Sequence, residues 1–147
     1  MSARPSWWSS DEWETPAEFV AKQAAEFGSF TLDPCCRREN AKASQFFTKE
    51  DDGLAQLWTG RVWLNPPYSA PAPWLRKAIA SVARPGCALV VALLPARTET
   101  GWFHDLVIGG AAEIRFVRGR LRFLGWERTP IPAPRNPSLL AIYRGAA

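Results

Sequence analysis

A continuous apolar run near the middle of the chain limits the possible folds more than any other feature of the sequence. Residues Ala88 to Leu94 are apolar without interruption, over the length of one strand. A strand with one face in water would alternate apolar and polar side chains, so the unbroken run predicts a strand covered on both faces. Such strands occur in parallel sheets whose two faces are covered by helices. We therefore expect an α/β fold.

Strand-like and helix-like segments alternate on either side of this run, as in α/β proteins. Shorter strands are predicted at residues 30–32, 61–64, 113–117 and 139–143, and helices at 73–82 and in a short stretch ending near Val107. The sequence of residues 15–18 predicts the capped start of an earlier helix, with Thr15 as the capping residue and Pro16 at the first helical position. Gly28 is expected to end that helix. The stretch between the first two strands is expected to be rich in loops.

The length of 147 residues fits one ordinary domain. We expect that domain over residues 15–147, preceded by an amino-terminal segment, residues 1–14, whose tryptophans dock on it. No apolar run approaches the roughly 20 residues that a membrane helix needs, and the first residues lack the basic-then-apolar order of a secretory signal. These features predict no membrane partner and a cytoplasmic location.

Charge and cysteine content narrow the possible partners. The net charge of +4 and the pI near 9.3 are compatible with a polyanionic partner such as nucleic acid, without requiring one. Three cysteines and one histidine do not form a zinc-binding pattern, so no metal is expected. Nothing in the sequence specifies an oligomeric state.

Polar groups follow two of the predicted strands at the point where each strand ends. Asp33-Pro34-Cys35 follows the first strand, and Asn65-Pro66-Pro67-Tyr68 follows the second. Because proline cannot donate to a strand ladder, the double proline must end the second strand and begin a loop. Open α/β sheets bind ligands at the carboxyl ends of their strands. Both segments are therefore candidate parts of one site.

The Asn65-Pro66-Pro67-Tyr68 segment suits chemistry on an aromatic amine. The lone pair of such an amine is delocalised into the ring, so the amine is a poor nucleophile until hydrogen-bond acceptors draw the pair back to nitrogen. The Asn65 side-chain oxygen and the Pro66 carbonyl can supply two acceptors, and the Tyr68 ring can stack on a base taken out of a duplex. The plainer alternative is a strand-ending turn with a buried tyrosine.

Further segments in the same order make the sequence resemble the phage and prophage branch of the Dam-type DNA adenine methyltransferases. Besides the two strand ends, the resemblance rests on Asp11-Glu12-Trp13 with Thr15-Pro16, Phe30-Thr31-Leu32, Asp52-Gly53-Leu54 with Trp58, Leu94-Pro95-Ala96-Arg97-Thr98 with Trp102-Phe103, and Gly119-Arg120-Leu121 with Phe123. It covers nearly the whole chain. It implies a reduced Rossmann-like methyltransferase fold, with a mostly parallel sheet, helices on both faces and an antiparallel C-terminal strand.

The resemblance also implies a cofactor and roles for individual residues. S-Adenosylmethionine would be the methyl donor, and the 6-amino group of adenine in DNA would be the acceptor. The implied catalytic residues are Asn65, Pro66, Pro67 and Tyr68. The implied cofactor-binding residues are Thr15, Pro16, Asp33, Pro34, Cys35, Asp52 and Asn65. One departure is that the glycine-rich segment usual in such cofactor loops is absent, since residues 36–40 read Cys-Arg-Arg-Glu-Asn.

Several arginines are candidate contacts to the DNA backbone, namely Arg97, Arg120, Arg122, Arg128 and Arg135. The plainer alternative for the arginines is a solvated face, and Asp33 and Asp52 could be ordinary turn residues. Two other functions also stay open at this point. One is a catalytically silent nucleic-acid-binding module on the same fold. The other is a methyltransferase for a different planar amine or amide, such as cytosine or a protein glutamine.

Overall fold

A computed structural model describes residues 3–6, 8–132 and 134–146 of the chain. One tryptophan of the expected docking segment, Trp7, lies outside the described residues. Of the other two, Trp8 is buried with its ring 5.1 Å from that of Trp126, and the Trp13 ring lies 5.8 Å from that of Phe123. No helix in the described ranges is long and apolar enough to span a membrane.

The regular elements alternate along the chain. The strands are β1 Leu32–Asp33, β2 Gln45–Phe46, β3 Gly60–Leu64, β4 Cys87–Pro95, β5 Glu113–Phe116 and β6 Ser138–Arg144. The helices are α1 Ala17–Phe27 and α2 Ala72–Val82, with a short π-helical segment at Phe103–Ile108. The strands form one sheet in the order β2-β1-β3-β4-β6-β5. The first four strands in that order run parallel, and β6 runs antiparallel to both of its neighbours.

Strand β4 is buried on both faces, as its unbroken apolar sequence predicts. One face of β4 packs with α2 and the π-helical segment, and the other packs with α1. Alternate residues divide between the two faces: Val90, Ala92 and Leu94 on the first, and Leu89, Val91 and Leu93 on the second. Each buried valine or leucine side chain among them contributes about 1.5–3 kcal/mol. The predicted α/β fold, with its mostly parallel sheet, helices on both faces and antiparallel C-terminal strand, is confirmed.

The start of α1 differs from the prediction. The helix begins at Ala17, and Pro16 is extended with φ −56° and ψ 135°. Pro16 therefore occupies the cap position, and its side chain has no oxygen that could accept a capping hydrogen bond. The Thr15 hydroxyl, one residue further back, has no hydrogen-bond partner among the described residues. The predicted capping box is therefore wrong, although Gly28 does end the helix, with φ 93° and its N–H donating to the Ala24 carbonyl.

The stretch between the first two predicted strands, expected to be rich in loops, contains one additional strand, β2. Strand β2 pairs in parallel with β1 and lies at the edge of the sheet. It is only two residues long, which is too short to produce the alternation of apolar and polar residues that identifies strands in a sequence. Its pairing brings the chain after β1 back alongside the carboxyl end of β1, where the candidate site lies.

Candidate active site

The segments that begin at Asp33 and Asn65, at the carboxyl ends of β1 and β3, lie at the same edge of the sheet. Strands β1 and β3 are parallel neighbours, with Leu32 opposite Val62, so Asp33 and Asn65 leave the sheet on the same side. A cavity of about 990 Å³ opens there, which we call the large cavity. Of the expected cofactor-binding residues, the lining includes Thr15, Asp33, Pro34, Cys35, Asp52 and Asn65. Pro16 is not among the residues that line it.

Asp33 places a buried carboxyl group in the wall of the large cavity. Its side chain is held by two backbone N–H groups, since Oδ1 accepts from Cys35 at 3.3 Å and Oδ2 accepts from Lys42 at 2.9 Å. Burial raises the pKa of Asp33 to about 7, although these two hydrogen bonds and the charge of Lys42 oppose the rise. The carboxyl group is therefore oriented and easily switched between its protonated and ionised forms near neutral pH.

Thr15 contributes a hydroxyl group that the protein itself does not use. The residue is 1% exposed, and its Oγ1 has no hydrogen-bond partner among the described residues. A buried hydroxyl without a partner costs about 1–3 kcal/mol. Because Thr15 lines the large cavity, a ligand in that cavity could supply the missing partner. The hydroxyl is unused because the predicted cap does not form.

A close backbone contact brings Asp52 to the same cavity. Gly53 packs so tightly against the Asp33-Pro34-Cys35 turn that a Cβ on it would lie 2.0 Å from the Pro34 carbonyl oxygen. The Trp58 indole donates to the Gly53 carbonyl at 2.9 Å and holds the segment in place. Asp52 itself has φ 57° and is exposed. Gly53 is therefore required for the close backbone contact. The Asp-Gly dipeptide, a common turn sequence, is the feature that indicates this position in the sequence.

The loop that lacks glycines is shaped by side-chain hydrogen bonds. Residues Arg38–Asn40 form a 3-10 turn, in which the Asn40 Oδ1 accepts from the Arg37 N–H at 2.8 Å. Burial raises the pKa of the Cys35 and Cys36 thiols. Both thiols therefore stay protonated at neutral pH and are poor nucleophiles. In the described part of the chain, no group of three or more His, Cys, Asp and Glu side chains could hold a metal ion.

The Asn65-Pro66-Pro67-Tyr68 segment, which we call the catalytic loop, faces two different cavities. Asn65 and Pro67 line the large cavity. Tyr68 lines a neighbouring cavity of about 590 Å³, which we call the small cavity. Pro66, which follows Asn65 in the sequence, is buried. The loop thus presents an amide to one cavity and an aromatic ring to the other.

Several aromatic side chains line the small cavity. Tyr68 meets Phe123 edge to face, with ring centroids 6.2 Å apart, and Trp13 and Trp102 also line the space. The Tyr68 hydroxyl is buried and makes no hydrogen bond with the described residues. Burial raises the pKa of this hydroxyl, so tyrosine acts here as a neutral ring. The arrangement can receive a flat apolar surface such as the face of a nucleobase.

The predicted DNA-contacting arginines fall into three groups. Arg97 and Arg135 are exposed and line the small cavity, and Arg97 also pairs with Glu99 at 2.9 Å. Arg120 and Arg122 are exposed but line neither cavity. Arg128 is exposed as well but lines neither cavity, and its guanidinium has partners in the protein: Nη2 donates to the Glu39 carbonyl at 2.6 Å, and Nε lies 3.3 Å from the Glu14 carboxylate.

This combination of fold and site defines a class of protein. A mostly parallel sheet, with helices on both faces and a ligand-sized cavity at the carboxyl ends of β1 and β3, is consistent with a Rossmann-like methyltransferase. The chain belongs to the DNA N-6-adenine-methyltransferase (Dam) family, because the model of that family matches residues 6–145. The family that the sequence resembles is thereby confirmed.

Two phage proteins illustrate the relationship. Over 113 residues the chain is 34% identical to the DNA N-6-adenine-methyltransferase of Escherichia phage T1, a match that covers 76% of this chain and 46% of the phage protein. Over 142 residues it is 33% identical to the DNA N-6-adenine-methyltransferase of Haemophilus phage HP1 (strain HP1c1), covering 93% of this chain and 80% of that protein. The match thus extends over less than half of the phage T1 protein and four fifths of the HP1 protein.

Proposed function

We propose that this chain transfers a methyl group from S-adenosylmethionine to the 6-amino group of adenine in DNA. The observation that carries the proposal is the position of the catalytic loop, which presents Asn65 to the large cavity and Tyr68 to the small one. The family match supports the same reaction. On this view the large cavity receives the methyl donor and the small cavity receives the target base.

The large cavity has the groups that such a methyl donor requires. The buried Asp33 carboxyl suits the donor's amino group, and the partnerless Thr15 hydroxyl suits a polar group at the same end. Asp52, on the wall of the cavity, is exposed enough to accept hydrogen bonds from a ribose or a base. Pro34 and Cys35 would shape the turn between these groups, and Pro16 would set the entry of α1. When bound, S-adenosylmethionine supplies an electrophilic methyl group.

The catalytic loop would activate the adenine amine by accepting its hydrogen bonds. The Asn65 Oδ1 and the Pro66 carbonyl oxygen would be the two acceptors, and Pro67, whose ring fixes φ, would limit the freedom of the loop. As these bonds form, the lone pair is drawn from the ring onto nitrogen, which can then attack a methyl carbon. The new C–N bond forms as the S–C bond breaks, and one amine proton is released to solvent. Removing one such acceptor typically slows a reaction by about 100- to 1000-fold.

The small cavity would hold the adenine after it leaves the duplex. Extrusion of a base costs a few kcal/mol, and stacking of that base on one aromatic side chain contributes about 1–3 kcal/mol of stabilisation. Tyr68 and Phe123 are the rings in position to do this. Arg97 and Arg135, at the same cavity, would contact phosphates beside the extruded base, and Arg120 and Arg122 would contact phosphates further away.

A labelling experiment tests the proposal. Purified protein is incubated with tritiated S-adenosylmethionine and either unmethylated DNA or a protein extract, and labelled nucleosides are separated by chromatography. We expect label in N6-methyldeoxyadenosine from DNA, and a rate of labelling lower by about 100-fold or more with Asn65→Ala at the same protein concentration. Label in methylcytosine or only in protein would overturn the proposal. Binding to DNA without any label would favour a catalytically silent module.

A further inference from the structure

The catalytic loop has few backbone hydrogen bonds of its own. Pro66 and Pro67 lack N–H groups, so neither can donate to a strand or a turn. Within the segment that follows, Ala70 donates to the Pro67 carbonyl at 3.2 Å. A loop that must hold an acceptor within a fraction of an ångström therefore depends on contacts with other parts of the chain.

Asp11 makes two of these contacts, with the residue that directly follows the loop. Its Oδ1 accepts from the Ser69 backbone N–H at 3.0 Å, and its Oδ2 accepts from the Ser69 hydroxyl at 2.6 Å. Hydrogen bonds to an ionised carboxylate are shorter and about twice as strong as neutral ones. Both polar hydrogens of Ser69, the residue after Tyr68, are thus held by one carboxylate from a distant part of the sequence.

The same amino-terminal segment also contacts the near end of the loop. The Asn65 Nδ2 donates to the Trp13 carbonyl oxygen at 3.4 Å. Because the side-chain amide is planar, this contact turns Oδ1 away from Trp13 and so sets the direction in which Asn65 can accept a hydrogen bond. Asp11 and Trp13 therefore secure the two ends of the catalytic loop.

The segment from Asp11 to Glu14 is itself anchored on the other side of the large cavity. Glu12 pairs with Arg37 at 3.6 Å, and Glu14 pairs with Lys42 at 3.2 Å in a largely buried contact. Glu14 also exchanges two backbone hydrogen bonds with Leu124, at 2.8 and 2.9 Å. The segment is thus fixed to the walls of the cavity and can hold the loop in position.

The contact between Asp11 and Ser69 also lies where the two cavities adjoin. Asp11, Trp13 and Ser69 each line both the large and the small cavity. A shift of this contact would therefore change the position of Asn65 relative to both reactants at once.

We propose that Asp11 is a positioning residue, which acts through Ser69 to align the catalytic loop between the two cavities. The inference rests on the proposed function. On this proposal Asp11 acts through Ser69 and not on the amine or the methyl group, so its removal should leave binding largely intact and reduce the alignment of the bound reactants. A misplacement of about 1 Å can slow a reaction by about 100-fold.

The test compares Asp11→Ala, Ser69→Ala, the double variant and Asp11→Asn, with kcat and KM measured for methylation of DNA. Asp11→Ala, which removes both bonds, is expected to lower kcat about 10- to 100-fold. Ser69→Ala keeps the backbone N–H bond to Asp11 and should lower kcat less. Both should change KM for DNA and donor less than about threefold. The double variant should be no slower than the slower single one, because the two residues act through one contact. Asp11→Asn retains one acceptor and should recover part of kcat.

Glu26→Ala is the matched control, since Glu26 is another carboxylate with one strong partner, Arg115, and lines neither cavity. It should retain wild-type kcat. The proposal is overturned if Asp11→Ala behaves like Glu26→Ala, if the loss lies in KM, or if the two alanine effects multiply. Thermal melting checks folding, and Ser69→Ala at an exposed position decides the question if Asp11→Ala unfolds. An inactive wild-type protein would instead refute the proposed function.

Discussion

The Oδ2 atom of Asp33 accepts a hydrogen bond from the backbone N–H of Lys42 at 2.9 Å, which ties the end of β1 to the loop that lacks glycines. This bond and the one from Cys35 keep the carboxyl group directed at the large cavity. They compete with burial, which raises the pKa of Asp33 to about 7. The ionisation state of Asp33 should therefore change when a charged ligand binds in the large cavity.

Binding of S-adenosylmethionine is expected to release protons at pH 6. Asp33 is mostly protonated at that pH, and a cationic amino group beside it favours the ionised form. The affinity should therefore increase as the pH rises through about 7 and level off above it. Isothermal titration calorimetry in two buffers of different ionisation enthalpy measures the protons released. Asp33→Asn should bind more weakly without this pH dependence, and an unchanged profile in that variant would contradict the assignment.

The same carboxyl group should make the stability of the ligand-free protein decrease as the pH rises, whereas the affinity for the methyl donor increases. A folded-state pKa raised above the ordinary value of 3.8 means that the folded protein holds its proton more tightly than the unfolded chain. This contribution to stability is fully present below about pH 4 and is lost as the pH rises through about 7. The ligand-free wild type should show this loss in melting temperature between pH 5 and pH 8. Asp33→Asn should lack that component.

Replacement of Thr15 by valine separates ligand binding from stability. The side chains have similar shape, and the lost hydroxyl has no partner among the described residues. The ligand-free variant should therefore be as stable as the wild type or more stable, since an unsatisfied buried hydroxyl is removed. Affinity for S-adenosylmethionine should fall by about 10-fold, equivalent to one hydrogen bond of about 1.4 kcal/mol. Thr15→Ser should retain the affinity, and equal affinity in all three proteins would argue against contact with the ligand.

Asn65→Ala is expected to lower kcat by about 100-fold or more, because one positioned acceptor is lost from the site where charge develops. Binding of the methyl donor, measured by calorimetry, should change far less than the rate. Asn65→Asp keeps an acceptor oxygen and serves as the comparison. Turnover near the wild-type rate in the alanine variant would refute the role of this side chain.

Tyr68→Ala should mainly slow methylation of duplex DNA, where the extruded base has to be held. Loss of one stacking ring corresponds to about 1–3 kcal/mol, or roughly 5- to 150-fold in rate. A free nucleoside substrate should lose much less. Tyr68→Phe should be close to wild type because the hydroxyl is buried without a partner in the described structure. Equal loss on duplex and nucleoside would contradict a stacking role.

The arginines should differ in how they affect the salt dependence of DNA binding. Each phosphate contact contributes about 0.9 to the slope of log affinity against log salt. Arg97→Ala and Arg135→Ala should each reduce the slope by about that amount, since both side chains are exposed at the small cavity. Arg128→Ala should leave the slope unchanged and lower the melting temperature, because Arg128, although exposed, lines neither cavity and binds the Glu14 carboxylate and the Glu39 carbonyl oxygen. A reduced slope in Arg128→Ala would show that DNA displaces these contacts.

Much of the fold follows from short-range rules that the sequence contains. The apolar run at 88–94 requires cover on both faces, and the periodic apolar positions of α1 and α2 provide it. The double proline after β3 has to begin a loop, because proline cannot donate to a ladder. Since parallel strands end at a common edge, these rules also bring Asp33 and Asn65 to the same side of the sheet.

The finer features of the site depend on contacts between segments far apart in the chain, and only the tertiary structure decides them. The Thr15 hydroxyl is unused because the helix begins after Pro16. The two-residue strand β2 exists because β1 is there to pair with it. Asp11 meets Ser69 across 58 positions, and Arg128 pairs with Glu14. Local sequence fixes backbone preference and burial pattern, but such partners are chosen only when the assembled sheet brings their loops together.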